Sequence, residues 1–355
     1  MFWKRRSLTF KERVDRFWNW FPTVAERFYQ TIEDGNCERL QHEIGKQAAD
    51  LWDEFQWVFG PGPMHRGGHS FTLSGGGYRH AQFLAAYWVD RAPEVAGWTF
   101  YGSRQPGDLS ESMSIGVGEQ RFEIGGLWLA PELDEERQVV HVNVWHPTFC
   151  EAEPDTRNMV LFLILDEVLG EFGTDQWLGA VDIVEHKPSD AIPASQLRDY
   201  LHDLEIQHGW QKLPPTESYT SYRLDPSADY PRSDTIVGTT ANFRLIEDYL
   251  DAQGPLDEDP LEGSGAEFAY VKFPSRLLPP GEEANFRRDF EQQLEAAIGT
   301  GGRVLGGAIG TDSTYVDLLL LDGSRTLDAI RSTARQLLSG PARIEYFTNK
   351  NGEIC

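Results

Sequence analysis

Apolar side chains recur at helical spacing through the first 55 residues of the chain. Thr9 and Glu12 have the spacing of a capping box, T-x-x-E, directly before the first of these apolar positions. The pattern predicts a helix there, and Pro22 is expected to start a second helix as its first residue. A third helix is predicted over residues 37–55. Together these helices form a predicted N-terminal helical hairpin, residues 1–59, that packs on the following domain.

Residues 60–211 combine alternating and helical patterns. The clearest strand is 139–145, where valines alternate with His141, Asn143 and Trp145. The predicted elements are a strand at 70–74, a helix at 78–92, strands at 97–104, 122–130 and 139–145, a helix at 155–169, a strand at 177–185 and a helix at 194–204. This order indicates a domain built on an antiparallel sheet with helices on one face.

The next segment interrupts both patterns. Residues 212–234 contain four prolines and several serines and threonines, without an apolar period. Such a composition is typical of a linker between domains. The sequence therefore predicts a linker over residues 212–240 and a second domain over residues 241–355.

The C-terminal region has the most regular pattern. Apolar residues recur every fourth position from Phe286 to Ile298, and a second helical pattern covers 327–338. Predicted strands lie at 267–273, 303–310, 314–321 and 342–347. The order βαββαβ is that of the ferredoxin-like arrangement. The predicted fold class is thus α+β, with two antiparallel-sheet α/β-sandwich domains, the C-terminal one ferredoxin-like.

The acidic residues are unevenly distributed along the chain. The 355 residues include 32 basic and 56 acidic side chains, for a net charge of −24. Residues 101–300 hold 14 basic and 38 acidic side chains, so the whole excess lies there. General binding to nucleic acid is disfavoured, because phosphates need cationic partners. One interpretation is a solvated acidic surface, and the other is an acidic docking face for a basic protein partner.

The cysteines and the apolar runs of the sequence indicate the cellular compartment that we expect for the protein. Cys37, Cys150 and Cys355 are too few and too widely spaced for a disulfide framework or a zinc motif. The longest strongly apolar run, 159–165, is far shorter than the roughly 20 residues of a transmembrane helix. We therefore expect a cytoplasmic protein without a transmembrane segment. The aromatic and cationic residues of segment 1–21 leave a membrane-surface anchor as an alternative.

One glycine-rich turn is a candidate ligand site. Residues Ser74 to Gly77 lie between a predicted strand and a predicted helix, where backbone N–H groups can hold a phosphate. The turn lacks the lysine and hydroxyl residue of a Walker loop and the spacing of a dinucleotide-binding fingerprint. A strand-to-helix turn that binds nothing explains the same residues.

A few metal-binding or acid–base side chains also stand out. His141, His146 and Cys150 are possible metal ligands, although positions 141 and 146 of a strand point to opposite faces, and a surface histidine pair is the simpler interpretation. The other candidates are His65 and His69 in a loop, the acids Asp257, Glu258, Asp259 and Glu262 in another loop, and the acid pair Asp166 and Glu167. None of them completes a known motif. The sequence predicts no catalytic residue, cofactor or metal ligand.

Four stretches carry a family resemblance. They are "TLSGGG", "RAPEVAGWTFYGSRQP", "LDEVLGEFGTDQWLGAVDIVEHKP" and "RSDTIVGTTANFRLIEDYLD", which lie within residues 60–250. They resemble a group of uncharacterised bacterial proteins, the domain of unknown function numbered 695. Such proteins can carry a C-terminal module similar to the ribonuclease E inhibitor RraB, which is an acidic, non-catalytic regulator. The resemblance implies a regulatory protein and carries no site residues with it.

Two functions follow as hypotheses. The first is a cytoplasmic, non-catalytic binding protein that regulates a partner through an acidic docking surface. The second is an enzyme or small-ligand binder that uses the cleft between the domains or the turn at Ser74–Gly77.

Overall fold

A computed structural model describes residues 7–63, 67–107, 114–118 and 120–355. The chain divides into two compact units. Unit 1 comprises the residues up to Phe55, Asp90–Trp98 and Thr216–Cys355, and unit 2 comprises Gln56–Val89 and Thr99–Pro215. The protein belongs to the α+β class, as the sequence predicts.

The N-terminal segment forms helix α1 (Phe10–Glu33), a short 3₁₀ turn and helix α2 (Gln41–Leu51). The predicted capping box is confirmed, since Thr9 Oγ1 accepts the Glu12 N–H and the Glu12 carboxylate accepts the Thr9 N–H. The predicted break at Pro22 is wrong, because α1 continues through it. Proline removes one helical hydrogen bond there, but the buried stripe stays in phase, with Phe21 before the proline and Ala25 after it.

These helices are joined to the C-terminal residues. The Phe10 N–H donates to the Gly265 carbonyl at 3.1 Å, and the Lys11 N–H donates to the Leu321 carbonyl at 3.0 Å. The apolar face of α1 over residues 10–21 is buried apart from the partly exposed Trp20, which disfavours a membrane anchor there. Residues 1–6 of the proposed anchor lie outside the described residues. The described residues up to Phe55 thus belong to unit 1 together with the C-terminal region, whereas residues 56–59 belong to unit 2, so the predicted segment 1–59 is divided between the two units.

Unit 2 contains several separate sheets. Its elements are β1 (Gln56–Pro61), β2 (His69–Ser74), α3 (Arg79–Val89), β3 (Trp98–Tyr101), β4 (Ser114–Val117), β5 (Gln120–Glu123), β6 (Trp128–Asp134), β7 (Val139–Trp145), α4 (Pro154–Trp177), β8 (Leu178–Ile183), β9 (Ile192–Pro193) and α5 (Leu197–His208). The strands are ordered β1-β2-β3, β4-β5 and β8-β7-β6-β9.

The alternation predicted for β7 is confirmed, because its valines at 140, 142 and 144 are buried in the core beneath α4. The expectation of one antiparallel sheet is wrong for this unit, since β8 runs parallel to β7. A parallel neighbour is possible because α4 connects the two strands as a crossover helix.

Unit 1 is completed by the C-terminal region. Its elements are β10 (Thr220–Arg223), β11 (Thr235–Thr240), α6 (Phe243–Asp251), β12 (Glu267–Pro274), α7 (Glu283–Ile298), β13 (Gly302–Gly310), β14 (Ser313–Leu320), α8 (Ser324–Leu337), β15 (Arg343–Tyr346) and β16 (Glu353–Ile354). They form a sheet ordered β10-β11-β13-β14-β12-β15-β16, whose described neighbours are all antiparallel. Helices α7 and α8 contribute to one apolar core with β12 and β14.

The predicted linker is therefore largely part of a domain. β10 and β11 lie inside residues 212–240 and belong to the sheet. The loop between them contains Asp234, whose carboxylate accepts the N–H groups of Asp312 and Ser313 at 3.0 and 2.8 Å. The prolines of this segment shape a loop that is hydrogen-bonded to the sheet.

The same loop places a cation inside the protein. Arg232 has a positive φ of 69° and is 4% exposed. Its guanidinium donates to both carboxylate oxygens of Asp317, at 2.7 and 3.2 Å. Four aromatic rings lie 4.7–5.8 Å from the guanidinium carbon, those of Tyr249, Tyr270, Tyr315 and Phe347. Ring faces attract cations, so the rings and the carboxylate act together on Arg232.

Loss of the Arg232 charge should destabilise the folded protein. We expect Arg232→Met to lower the free energy of unfolding by about 3 to 5 kcal/mol, because the Asp317 carboxylate then stays buried without its cation. Urea unfolding followed by tyrosine and tryptophan fluorescence measures the change.

The double variant Arg232→Met/Asp317→Leu should recover part of this loss, since it removes both charges. The control is Arg244→Met, which breaks an exposed ion pair with Asp248 and should change little. A variant Arg232→Met as stable as the parent would contradict a central role for the buried pair.

Candidate functional site

The candidate site in unit 2 begins at a kink in α4. Gly170 interrupts this helix with φ 75° and ψ 159°. A Cβ atom at this position would lie 2.9 Å from Pro106 Cδ and 3.1 Å from the Arg104 carbonyl oxygen. Both the positive φ and the lack of space therefore require glycine. The kink separates a first half of α4, which carries Asp166, from a second half, which carries Asp175.

Glu171 follows the kink and is 2% exposed. Its carboxylate accepts the Ser74 hydroxyl at 2.8 Å, the Arg104 N–H at 3.2 Å and the Gly77 N–H at 3.3 Å. A buried carboxylate needs such donors to offset its lost hydration. Glu171 therefore holds the turn after β2, the segment after β3 and the helix α4 together.

The predicted turn at Ser74–Gly77 does lie at a cavity, but its amides are already used. The Gly76 N–H donates to Ser74 Oγ at 3.1 Å, and the Tyr78 N–H donates to the Gly75 carbonyl at 3.1 Å. The Gly77 N–H donates to Glu171. A phosphate would have to displace the protein's own carboxylate, so the geometry does not support the phosphate hypothesis.

The cavity next to this turn has a volume of 430 Å³. Its lining residues come from the turn, α4 and β8, and are Gly76, Gly77, Tyr78, Phe162, Asp166, Glu171, Thr174, Asp175, Leu178, Gly179 and Val181. Three of them are acidic and none is basic. Tyr78 and Phe162 are 66% and 48% exposed, which is unusual for large aromatic side chains. The cavity therefore combines negative charge with apolar surface.

Two carboxylates of the cavity, those of Asp175 and Asp166, differ in whether a nearby cation balances their charge. Asp175 pairs with Arg79 at 3.0 Å. Burial raises the pKa of Asp175, helped by the charge of Glu171, while Arg79 acts in the opposite direction. Asp166 lacks such a close cation among the ion pairs of the described residues. Burial, together with the charge of Glu171, raises the pKa of Asp166 to about 6, against opposing contributions from a hydrogen bond with the Thr174 side chain and from the charge of Arg104.

Asp166 also lines a second cavity of 220 Å³, together with Arg104, Leu163 and residues of β4 and the turn after β5. Its carboxylate thus lies on the wall of two adjacent spaces within unit 2.

The three metal-ligand candidates do not meet. His146 is buried, and its ring contacts the Glu123 carbonyl at 2.9 Å and stacks on Phe149. His141 Nδ1 accepts the Ala180 N–H at 2.8 Å. Cys150 is exposed beside the Pro147 carbonyl. The expectation of a surface histidine pair is wrong for His146, and burial lowers its pKa. The described residues contain no group of three or more side chains suited to hold a metal ion.

The remaining candidates have ordinary roles or lie outside the described residues. His65 is outside them, and His69 belongs to β2. Asp257 accepts the Asn349 amide at 3.1 Å, and Asp259 accepts the Leu261 N–H at 2.9 Å. Asp257 thus binds the segment that follows β15, and Asp259 binds the backbone of its own loop. Among the described residues, no helix is both long enough and apolar enough to cross a lipid bilayer.

Sequence reasoning noticed Asp166 only as one half of an acid pair and missed Glu171 and Asp175. The available signal was Gly170, a glycine inside a helical pattern, which often marks a kink or a close approach. Comparison of the chain with family models, with curated proteins and with solved structures finds no match. The site is therefore interpreted from its geometry.

Ionisation of Asp166 should oppose folding. Its pKa is raised in the folded state, so its protonated form stabilises the fold, and this contribution is lost as the pH rises through about 6. We expect Asp166→Asn, which stays neutral, to be more stable than the parent at pH 7.5. Its advantage should be larger at pH 7.5 than at pH 5 by roughly 1 kcal/mol. Urea unfolding at the two pH values measures this difference.

The control is Asp203→Asn in α5, since the Asp203 side chain is exposed. That variant should show no comparable change between the two pH values. A pH-independent effect of Asp166→Asn would mean that Asp166 is not desolvated in the folded protein.

Proposed function

We propose that the protein is a binding protein whose 430 Å³ cavity in unit 2 takes a ligand with a positive charge next to an apolar body. The observation that carries this proposal is Asp166, a desolvated carboxylate on the cavity wall without a close cation among the ion pairs of the described residues. A cationic ligand would supply the missing charge. Its binding would lower the pKa of Asp166 towards the usual range.

The apolar side chains that line the cavity favour a ligand with an apolar body. Tyr78 and Phe162 offer exposed ring surface, and Leu178 and Val181 add aliphatic surface. A cation placed near an aromatic ring gains further attraction. An anion is disfavoured, because it would face three carboxylates and a turn whose amides are engaged.

Binding is favoured over catalysis by the way the carboxylates are held. General acid–base chemistry by two carboxyl groups needs both to be available to the substrate. Glu171 is engaged by three donors and Asp175 by Arg79, whereas Asp166 is approached by the Thr174 side chain and lacks a close cation among the ion pairs of the described residues. This arrangement suits recognition of a charge better than transfer of a proton between two groups.

The broader hypotheses are compatible with this proposal. Residues 101–215, most of unit 2, include 21 acidic and 7 basic side chains, which supports an acidic docking surface around the cavity. We also propose that residues 267–346 form a ferredoxin-like module. Its support is the strand order β13-β14-β12-β15 together with α7 and α8 in one core. The resemblance to the RraB-containing family, and a non-catalytic regulatory role in the cytoplasm, remain part of the proposal.

Simple amines test the cavity directly. We expect n-butylammonium to bind more tightly than n-butanol or butyrate, because only the amine combines a positive charge with an apolar chain. Its affinity should rise by roughly tenfold between pH 5 and pH 7, as Asp166 ionises. Isothermal titration calorimetry measures the three affinities.

In Asp166→Asn the preference for the amine over the alcohol should largely disappear, whereas Asp203→Asn should behave as the parent. Equal affinities for amine, alcohol and carboxylate in the parent protein would overturn the proposed function.

A further inference from the structure

One strand that lines the cavity lies at the edge of a sheet of unit 2. β8 is the terminal strand of the sheet β8-β7-β6-β9, and in the described part of the chain it pairs with β7 alone. Natural edge strands are commonly protected by lysines, prolines or bulges that face outward. β8 reads LGAVDI, without lysine or proline, and Gly179, Ala180 and Asp182 are exposed. Its register against β7 shifts between Leu178 and Val181 and is regular from Val181 to Ile183. The strand therefore offers an open edge.

The free backbone groups of this edge can be identified. The Ala180 N–H donates to His141 of β7, and the Val184 N–H donates to the Val144 carbonyl of β7. Backbone groups of successive strand residues point to opposite sides, so in the regularly paired part of the strand those of Val181 and Ile183 point to the open side. An extended chain placed there would find the donors and acceptors of Val181 and Ile183.

The cavity lies beside this same strand. Leu178, Gly179 and Val181 of β8 line it, and Phe162 and Asp166 of α4 line it from the face of the sheet that α4 covers. In an added strand, alternate side chains would point towards α4. A side chain at such a position would enter the cavity and approach Asp166.

We propose that the occupant of the cavity is a lysine or arginine side chain from a basic segment of a partner protein, which adds to β8 as an extra strand. This inference rests on the proposed function and names its ligand. Charge complementarity selects the partner, because the cavity has no basic lining residue and the exposed side chain of Asp182 makes the edge itself acidic. Main-chain hydrogen bonds would provide affinity, and the cavity would provide specificity, as in other peptides that extend a sheet.

The test compares synthetic hexapeptides with the intact protein by isothermal titration calorimetry. The first has alternating valine and lysine, the second has the same sequence with N-methylated valines, and the third has glutamate in place of lysine. We expect the first to bind, the second to bind at least tenfold more weakly, and the third not to bind. N-methylation removes backbone donors on one edge of the peptide while it keeps the charge.

Two variants separate the edge from the cavity. Ile183→Pro removes an N–H that faces the open side at a residue that does not line the cavity, and proline is tolerated on edge strands. It should weaken the lysine peptide at least tenfold but leave n-butylammonium binding within about threefold of the parent. Asp166→Asn should weaken both ligands. Circular dichroism confirms that each variant is folded.

The outcomes distinguish the two proposals. If n-butylammonium binds but the plain and N-methylated lysine peptides bind equally well, strand addition is wrong and the proposed function stands. If the parent protein shows no preference for the amine, the proposed function fails, and the inference fails with it. Binding of the glutamate peptide as tightly as the lysine peptide would also overturn the inference.

Discussion

The arrangement of unit 2 depends on the buried carboxylate of Glu171. A desolvated carboxylate costs several kcal/mol unless donors surround it, and its donors come from Ser74, Gly77 and Arg104, far away in the sequence. Formation of the three hydrogen bonds thus fixes the turn after β2, the segment after β3 and the kinked helix α4 at one point. The same carboxylate occupies a turn amide that an anion would need, and it adds negative charge to the cavity. One interaction therefore connects the local fold with the negative charge of the cavity.

The sequence predicts those parts of the fold that rest on local patterns. The capping box at Thr9, the alternation in β7 and the helices α7 and α8 follow from spacing that neighbouring residues already display. The predictions fail where contacts between residues far apart in the sequence determine the structure. α1 passes through Pro22 because its buried face continues on both sides of the proline. The proline-rich segment before β11 joins a sheet because Asp234 and Arg232 bind residues of β14 and its preceding turn.

The candidate site was predictable only in part, for the same reason. The turn at Ser74–Gly77 is visible as a glycine-rich step from strand to helix, and the structure does place it at a cavity. The character of that cavity was hidden, because acidic residues are common along this chain and their partners are remote. Ser74 and Glu171 are 97 positions apart. A pattern of residues therefore indicated a site for anions, whereas the contacts around the cavity support the cationic ligand that we propose.

The open edge of β8 also has a consequence for the protein in concentrated solution. An edge that can accept a foreign strand can also pair with the same edge of another molecule, which is a common first step of aggregation. The acidic excess of unit 2 opposes this, because two copies repel each other as they approach. Salt weakens that repulsion, since the screening length falls from about 10 Å at 0.1 M to about 3 Å at 1 M. The negative charge thus favours colloidal stability, in addition to the recognition that we propose.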